Sequence, residues 1–161
     1  LKIRIGHGYD VHRWAKDRRL WLGGIQIPYN WGLTGHSDAD VLLHAICDAI
    51  LGALAMGDIG GHFPPSDPAY HGISSSILLE KTVSMAHQRG WSINNVDATI
   101  LAQEPKLAPH IPLMRKKIAE VLRVDPSCIS IKATTTEGLG FVGRMEGIAA
   151  HAVVLLACED Q

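Results

Sequence analysis

The 161-residue chain carries no surplus of charge: 15 Lys and Arg stand against 16 Asp and Glu, for a formal net charge of −1. That balance excludes a general attraction for nucleic acid or an anionic membrane, so any phosphate recognition must be local. Cysteine is scarce. Cys47, Cys128 and Cys158 lie in separate segments with no C-x-x-C pair, which excludes a disulfide framework and a thiolate zinc site and fits small apolar residues in a reducing compartment. No apolar run reaches the roughly 20 residues of a membrane-spanning helix. The longest, from Val41 to Met56, is broken by His44 and Asp48. A charged-then-apolar signal peptide is lacking too, because Leu1-Lys2-Ile3-Arg4-Ile5 alternates as a strand does. The first residue is not Met, from which trimming of the chain is expected. There is no linker, internal repeat or low-complexity tract beyond Ser74-Ser75-Ser76, so residues 1–161 are expected to form one domain around one core, with 47% apolar residues to fill it.

Changes of apolar period, each marked by Gly or Pro, divide the chain. Residues 2–9 are expected to form a strand, and Leu20 to Pro28 a hairpin around Gly23-Gly24. Ser37, three residues before Asp40, marks a helix start, and the spacing of Val41, Ile46, Ala49, Ile50, Ala53 and Leu54 predicts a helix over residues 39–56. A second helix is expected over 75–89, a strand over 94–103 and a third helix over 111–122 with Pro109 and Pro112 at its start. Strands over 129–135 and 148–156 complete the set. This order predicts an α/β (α+β type) two-layer sandwich, with three helices on one face of a mixed sheet.

Nine histidines turn attention to position. In Asp10-Val11-His12, strand alternation puts the carboxylate and the imidazole on one side. Such a pair suits zinc and equally suits an ordinary salt bridge. His44 lies one helical turn from Asp40 and from Asp48; it reads either as a buried histidine satisfied by one of them or as a metal ligand whose second nitrogen one of them holds. Asp10, His12 and His44 together would supply three zinc ligands and leave the fourth position open, the arrangement of a catalytic site. In Lys132-Ala133-Thr134-Thr135-Thr136-Glu137-Gly138-Leu139-Gly140 a strand ends in three hydroxyls, an acid and a glycine turn. Threonine is common in strands, but clustered hydroxyls and backbone N–H groups can meet phosphate oxygens, and Glu137 can hold a hard divalent cation. The Pro-containing loop Ala102-Gln103-Glu104-Pro105-Lys106-Leu107-Ala108 is either a connector or a set of free backbone groups for a base edge.

Taken in order, GHGYDVH (6–12), GHSDADVLLHA (35–45), GDIGGHFP (57–64), PHIPLMR (109–115), KATTTEGLGFVGR (132–144) and EGIAAHAV (146–153) resemble the cyclodiphosphate synthase family nearly end to end. The resemblance implies conversion of 4-diphosphocytidyl-2-C-methyl-D-erythritol 2-phosphate into the 2,4-cyclodiphosphate, with loss of CMP. It further implies that Asp10, His12 and His44 bind zinc, with Val11 between the first two at the substrate. His36 and Ser37 would contact the methylerythritol phosphate. Asp58, Ile59 and Gly60, with Phe63, Pro64, Pro65, Ser66 and Asp67, would close over the sugar alcohol. Ala102, Gln103, Glu104, Pro105, Lys106, Leu107 and Ala108 would take the cytosine. Thr134, Thr135, Thr136 and Glu137 would meet the diphosphate and its magnesium or manganese ion, and Phe141 and Arg144 would complete the phosphate contacts. His36 and Thr135 resemble the family's transition-state stabilisers. Where many members carry an acid directly after Phe-Pro, this chain has Pro65-Ser66 and then Asp67.

The same resemblance implies a homotrimer with sites between subunits, and an axis lined by Tyr9, Arg144 and Glu146 that takes an isoprenoid diphosphate. Partners in nucleic acid or membrane are not expected. The bacterial cytoplasm is the expected location, or the plastid stroma if a transit peptide has been trimmed. Two other functions use the same residues: a zinc phosphohydrolase that activates water, and a non-catalytic diphosphate-binding module.

Overall fold

The computed structural model describes residues 1–158. In chain order the elements are β1 (Lys2–Lys16), β2 (Leu20–Leu22), β3 (Ile25–Ile27), β4 (Trp31–Leu33), α1 (Val41–Ala53), α2 (Ile59–His62), α3 (Ser75–Gln88), β5 (Ser92–Leu101), α4 (Ile111–Leu122), β6 (Ile129–Thr134), α5 (Gly140–Gly143) and β7 (Gly147–Cys158). Five strands form one mixed sheet in the order β4-β1-β7-β5-β6, and β2-β3 is a separate hairpin. Among the described residues only the β5–β6 pair is parallel. The expected mixed sheet with helices packed on it is therefore present, with two one-turn helices, α2 and α5, besides the three long ones. No helix among the described residues is long and apolar enough to cross a membrane.

One boundary moves. The first strand does not stop at residue 9 but continues to Lys16, paired with β7 as far as Arg13 opposite Gly147 and then with β4. Asp10 and His12 thus lie within a strand and not at its end. The polar residues that disguise this stretch are there because one sheet face opens onto a pocket at this level.

Helix α1 is buried almost all round, the pattern of a helix sandwiched between a sheet and other helices. Its approach to β1 is set by two glycines. A Cβ on Gly6 would stand 1.8 Å from the Ala49 carbonyl oxygen, and one on Gly8 would stand 1.8 Å from that of Ala45. Strand and helix therefore meet backbone to backbone, through a stripe of Gly on one side and Ala on the other.

Asp40 fixes the start of α1 and ties it to the hairpin. Its carboxylate is fully buried and accepts hydrogen bonds from Leu43 N (3.1 Å), Gly23 N (2.9 Å) and Gly24 N (2.7 Å). Both hairpin glycines have positive φ, 64° and 78°, as a two-residue turn of this kind demands. Burial, and next the charge of Asp38, raise the Asp40 carboxyl to about 6, against the pull of the three N–H donors. The position predicted as a metal-histidine partner is thus occupied in holding backbone.

Among the described residues no helix covers the opposite sheet face. Ile3 and Ile5 are 62% and 71% exposed, and Tyr9, Val11 and Val153 lie on the same open face.

Replacing Gly8 by Ala sets a methyl against a helix carbonyl that cannot retreat without moving α1. The expected loss is about 3 kcal/mol or more in urea unfolding, and a variant as stable as the parent would show that the close approach is not a constraint.

Candidate active site

Because side chains alternate on a strand, Asp10 and His12 share the face of Gly6 and Gly8 and look toward α1. His44, near the start of α1, meets them there. The Asp10 Oδ2 atom lies 2.9 Å from His12 Nε2 and 3.1 Å from His44 Nδ1, and the two ring nitrogens are 3.1 Å apart. Val11 points to the open face instead.

The proton positions on both rings follow from their other neighbours. His12 Nδ1 lies 2.8 Å from the Thr34 carbonyl, which can only accept, so Nδ1 carries the hydrogen and Nε2 presents a lone pair. His44 Nε2 lies 2.9 Å from Ser75 Oγ and 3.1 Å from Ser37 Oγ. The Ser75 hydroxyl donates to Asp38 Oδ1, and the Ser75 amide donates to Asp38 Oδ2 at 3.0 Å. With its proton committed, Ser75 accepts from His44 Nε2–H, which leaves the Nδ1 lone pair facing Asp10.

Three acceptors thus converge with no hydrogen between them, an arrangement that repels unless a cation sits among them. The triangle suits one: ligands at about 2.0 Å from a tetrahedral ion are about 3.3 Å apart. A proton is the poor substitute. Burial alone would lower His12, but the Asp10 carboxylate outweighs it and holds the ring above the ordinary value of 6.5. For Asp10 burial acts upward, yet its bonds to the two histidines bring it down to about 2. A proton can therefore compete with a metal at His12, while the carboxylate stays ionised.

The triad sits in the wall of a pocket of about 220 Å³, with the exposed His36 beside it and Ile59, Gly60, Phe63 and Pro65 opposite. Phe63 and Tyr70 meet edge to face at 5.4 Å in this wall. Asp48, the other expected partner of His44, accepts from Ile59 N at 2.8 Å and pins α2 to α1. Asp58 caps α2 through Gly61 N at 3.0 Å, and Asp67 caps the turn at Pro68–Tyr70 through Ala69 N at 2.9 Å. Asp58, Pro64, Ser66 and Asp67 do not line the pocket.

A second pocket of about 410 Å³ lies between residues 102–108 and the strand end Ala133-Thr134-Thr135. The loop is tied to the glycine turn by Gly138 N, which donates to Gln103 Oε1 at 3.3 Å. Within that turn Thr136 Oγ1 donates to Leu139 O at 2.6 Å, and Glu137 is exposed at φ 56°. Phe141 lines a shallow groove with His12 and Arg13, and Arg144 pairs with Glu146 at 2.9 Å. The triad pocket and this second pocket share no residue within one chain.

The family model described as the YgbB family matches residues 3–157. The chain belongs to the YgbB family. A 2-C-methyl-D-erythritol 2,4-cyclodiphosphate synthase from Syntrophomonas wolfei is 60% identical over 154 residues, which span 96% of this chain and 98% of the relative. Among solved structures, a bifunctional IspDF from Campylobacter jejuni matches with TM-score 0.95 and 42% identity over 99% of this chain; the chain spans 43% of that longer protein. An IspF from Plasmodium falciparum, described as a CDP complex, matches with TM-score 0.86 and 37% identity over 98% of this chain and 97% of its own. Family membership at this identity makes the chain an enzyme of the lyase kind, and the resemblance carried by its motifs stands.

Ser75 and Asp38 are members of the site that spacing did not disclose, as are Tyr70, Ile73 and Leu78 of the pocket wall. Ser74 caps α3 through Ser76 N, so the three-serine run holds two hydroxyls more than the cap needs, and the Ser75 one serves the site. Ser75→Ala is expected to weaken the affinity of the triad for a divalent metal ion about tenfold or more, and Ser75→Thr to retain it. Competition with a chromophoric chelator reads this directly, and equal affinity in the Ala variant would contradict the assignment.

Proposed function

We propose that the chain cyclises 4-diphosphocytidyl-2-C-methyl-D-erythritol 2-phosphate to the 2,4-cyclodiphosphate with release of CMP. The observation that carries the reading is the convergence of three lone-pair ligands at the wall of an open pocket, in a chain of this family. In the reaction the 2-phosphate oxygen attacks the β-phosphorus and the bond from that phosphorus to the oxygen bridging to the α-phosphate breaks. CMP departs with the electron pair. An intramolecular transfer needs positioning and charge neutralisation more than an enzyme nucleophile.

Asp10, His12 and His44 would hold zinc, and Glu137, an exposed carboxylate, would hold magnesium or manganese. Zinc would act as a Lewis acid on phosphoryl oxygens, and the second cation would offset charge on the departing CMP. His36 and Ser37 orient the methylerythritol phosphate, and Ile59, Gly60, Phe63 and Pro65 enclose the sugar alcohol, on turns that Asp58 and Asp67 hold in shape. Residues 102–108 take the cytosine, in keeping with the CDP named for the Plasmodium relative. Thr134, Thr135 and Thr136, with Phe141 and Arg144, meet the diphosphate, and His36 and Thr135 stabilise its transition state.

A homotrimer completes this scheme. Two facts support it: the sheet face bearing Ile3, Ile5 and Val153 is uncovered, and the metal pocket and the base pocket of one chain are separate. Packing three sheets about an axis would bury that face and join the metal pocket of one copy to the base pocket of the next. Tyr9, Arg144 and Glu146 would then line an axial space for an isoprenoid diphosphate. The proposed location is the bacterial cytoplasm, or the plastid stroma for a trimmed precursor.

The test is incubation of the cytidylated substrate with zinc and magnesium in oxygen-18 water. Unlabelled cyclic product and CMP are expected, with His44→Ala slower by about 100-fold or more. Label in the product would make the chain a phosphohydrolase, and tight binding without CMP release a non-catalytic module.

A further inference from the structure

Residues 103–106 form the outer part of the loop over the second pocket, and their footing is uneven. Ala102 and Leu107 are buried at either end, and Ala102 N donates to Thr134 O at 3.0 Å. Between these feet Gln103 holds only the exposed glycine turn, through Gly138 N. Glu104 is different, because its partner lies outside the loop and the turn altogether. The Tyr29 hydroxyl donates to Glu104 Oε2 at 3.0 Å, across 75 residues of sequence.

Tyr29 is well placed for such a role. It lies in the short connection between β3 and β4, packed against the core, with its ring 5.4 Å from that of the buried Trp14. Trp14 belongs to β1, two residues beyond His12, so the ring that anchors the loop rests on the strand that carries the metal ligands. A tyrosine has two side-chain torsions and packs with little entropy to lose. Burial, then the neighbouring carboxylate, hold its hydroxyl above the usual range, so it remains a donor.

We infer that Tyr29 is a positioning residue for the nucleobase: anchored on Trp14, it holds Glu104 and with it the shape of the loop that receives the base. This rests on the second pocket being the base site. The role is to shape the ground-state pocket, so it acts on binding of the cytidine portion and leaves the phosphoryl transfer step alone.

The test uses the full chain with its metals and CMP as the probe, by calorimetric titration. Tyr29→Phe keeps the ring and removes the hydroxyl. The CMP dissociation constant is expected to rise about three- to tenfold, and the KM of the cytidylated substrate by the same factor, with kcat within about twofold. Affinity for inorganic pyrophosphate, which has no base, is expected to be unchanged. Glu104→Ala reproduces the loss, the double variant is no worse than either single one, and Glu104→Gln, which retains an acceptor, restores most of it. An unchanged CMP affinity in Tyr29→Phe, an equal loss of pyrophosphate affinity, or effects of the two single variants that multiply would each overturn the role of Tyr29. A wild-type chain that binds CMP no better than pyrophosphate would instead remove the base site itself, and the inference with it.

Discussion

The structure depends on the contact of two backbones. Gly6 and Gly8 let β1 lie against the Ala45 and Ala49 carbonyls of α1, with no side chain between them. Only at that separation can Asp10 and His12, further along the same strand face, reach a histidine rooted on the helix. The glycines lower local strand propensity and leave nothing of their own to pack. What they provide is distance, and the three-atom triangle of the site is its direct product.

Around this contact the carboxylates divide the labour. Asp40 binds the hairpin and the start of α1 into one unit, and Asp48 fixes α2 to α1. Asp38 acts on the site itself, through Ser75 to His44. Three carboxylates within one short stretch thus have three tasks, and none of the described buried side-chain polar atoms lacks a partner. The triad is the exception in kind: its atoms have neighbours, but neighbours of the same polarity, which is the signature of a position meant for a cation.

Much of this was legible in the residues. The amphipathic period with prolines at its start located the helix Ile111–Leu122 to the residue, and the Gly-Gly pair located the hairpin. Asp10, His12 and His44 were legible as a set because strand and helix periodicity each put them on an inward face. Elements of three or four residues, β4, α2 and α5, were not, since a period needs more than one turn or two alternations to show. The length of β1 was hidden by polar residues whose backbone pairs normally while their side chains serve a pocket. Asp40 and Asp48 were misread because an i,i+4 spacing fixes proximity and not where lone pairs are used; backbone N–H groups claimed both. Ser75 reaches His44 from 31 residues away, a relation no local pattern carries.

The fold therefore converges on one point in space: a cation position framed by one carboxylate oxygen and two imidazole nitrogens of fixed tautomer, open on its fourth side. Anomalous diffraction at the zinc edge from crystals of the zinc-loaded protein tests it most directly. The account predicts one ion bonded at about 2.0–2.2 Å to Asp10 Oδ2, His12 Nε2 and His44 Nδ1, with its fourth ligand from solvent or substrate. An ion closed by four protein ligands, bound through the other nitrogen of either histidine, or located away from this triangle would contradict it.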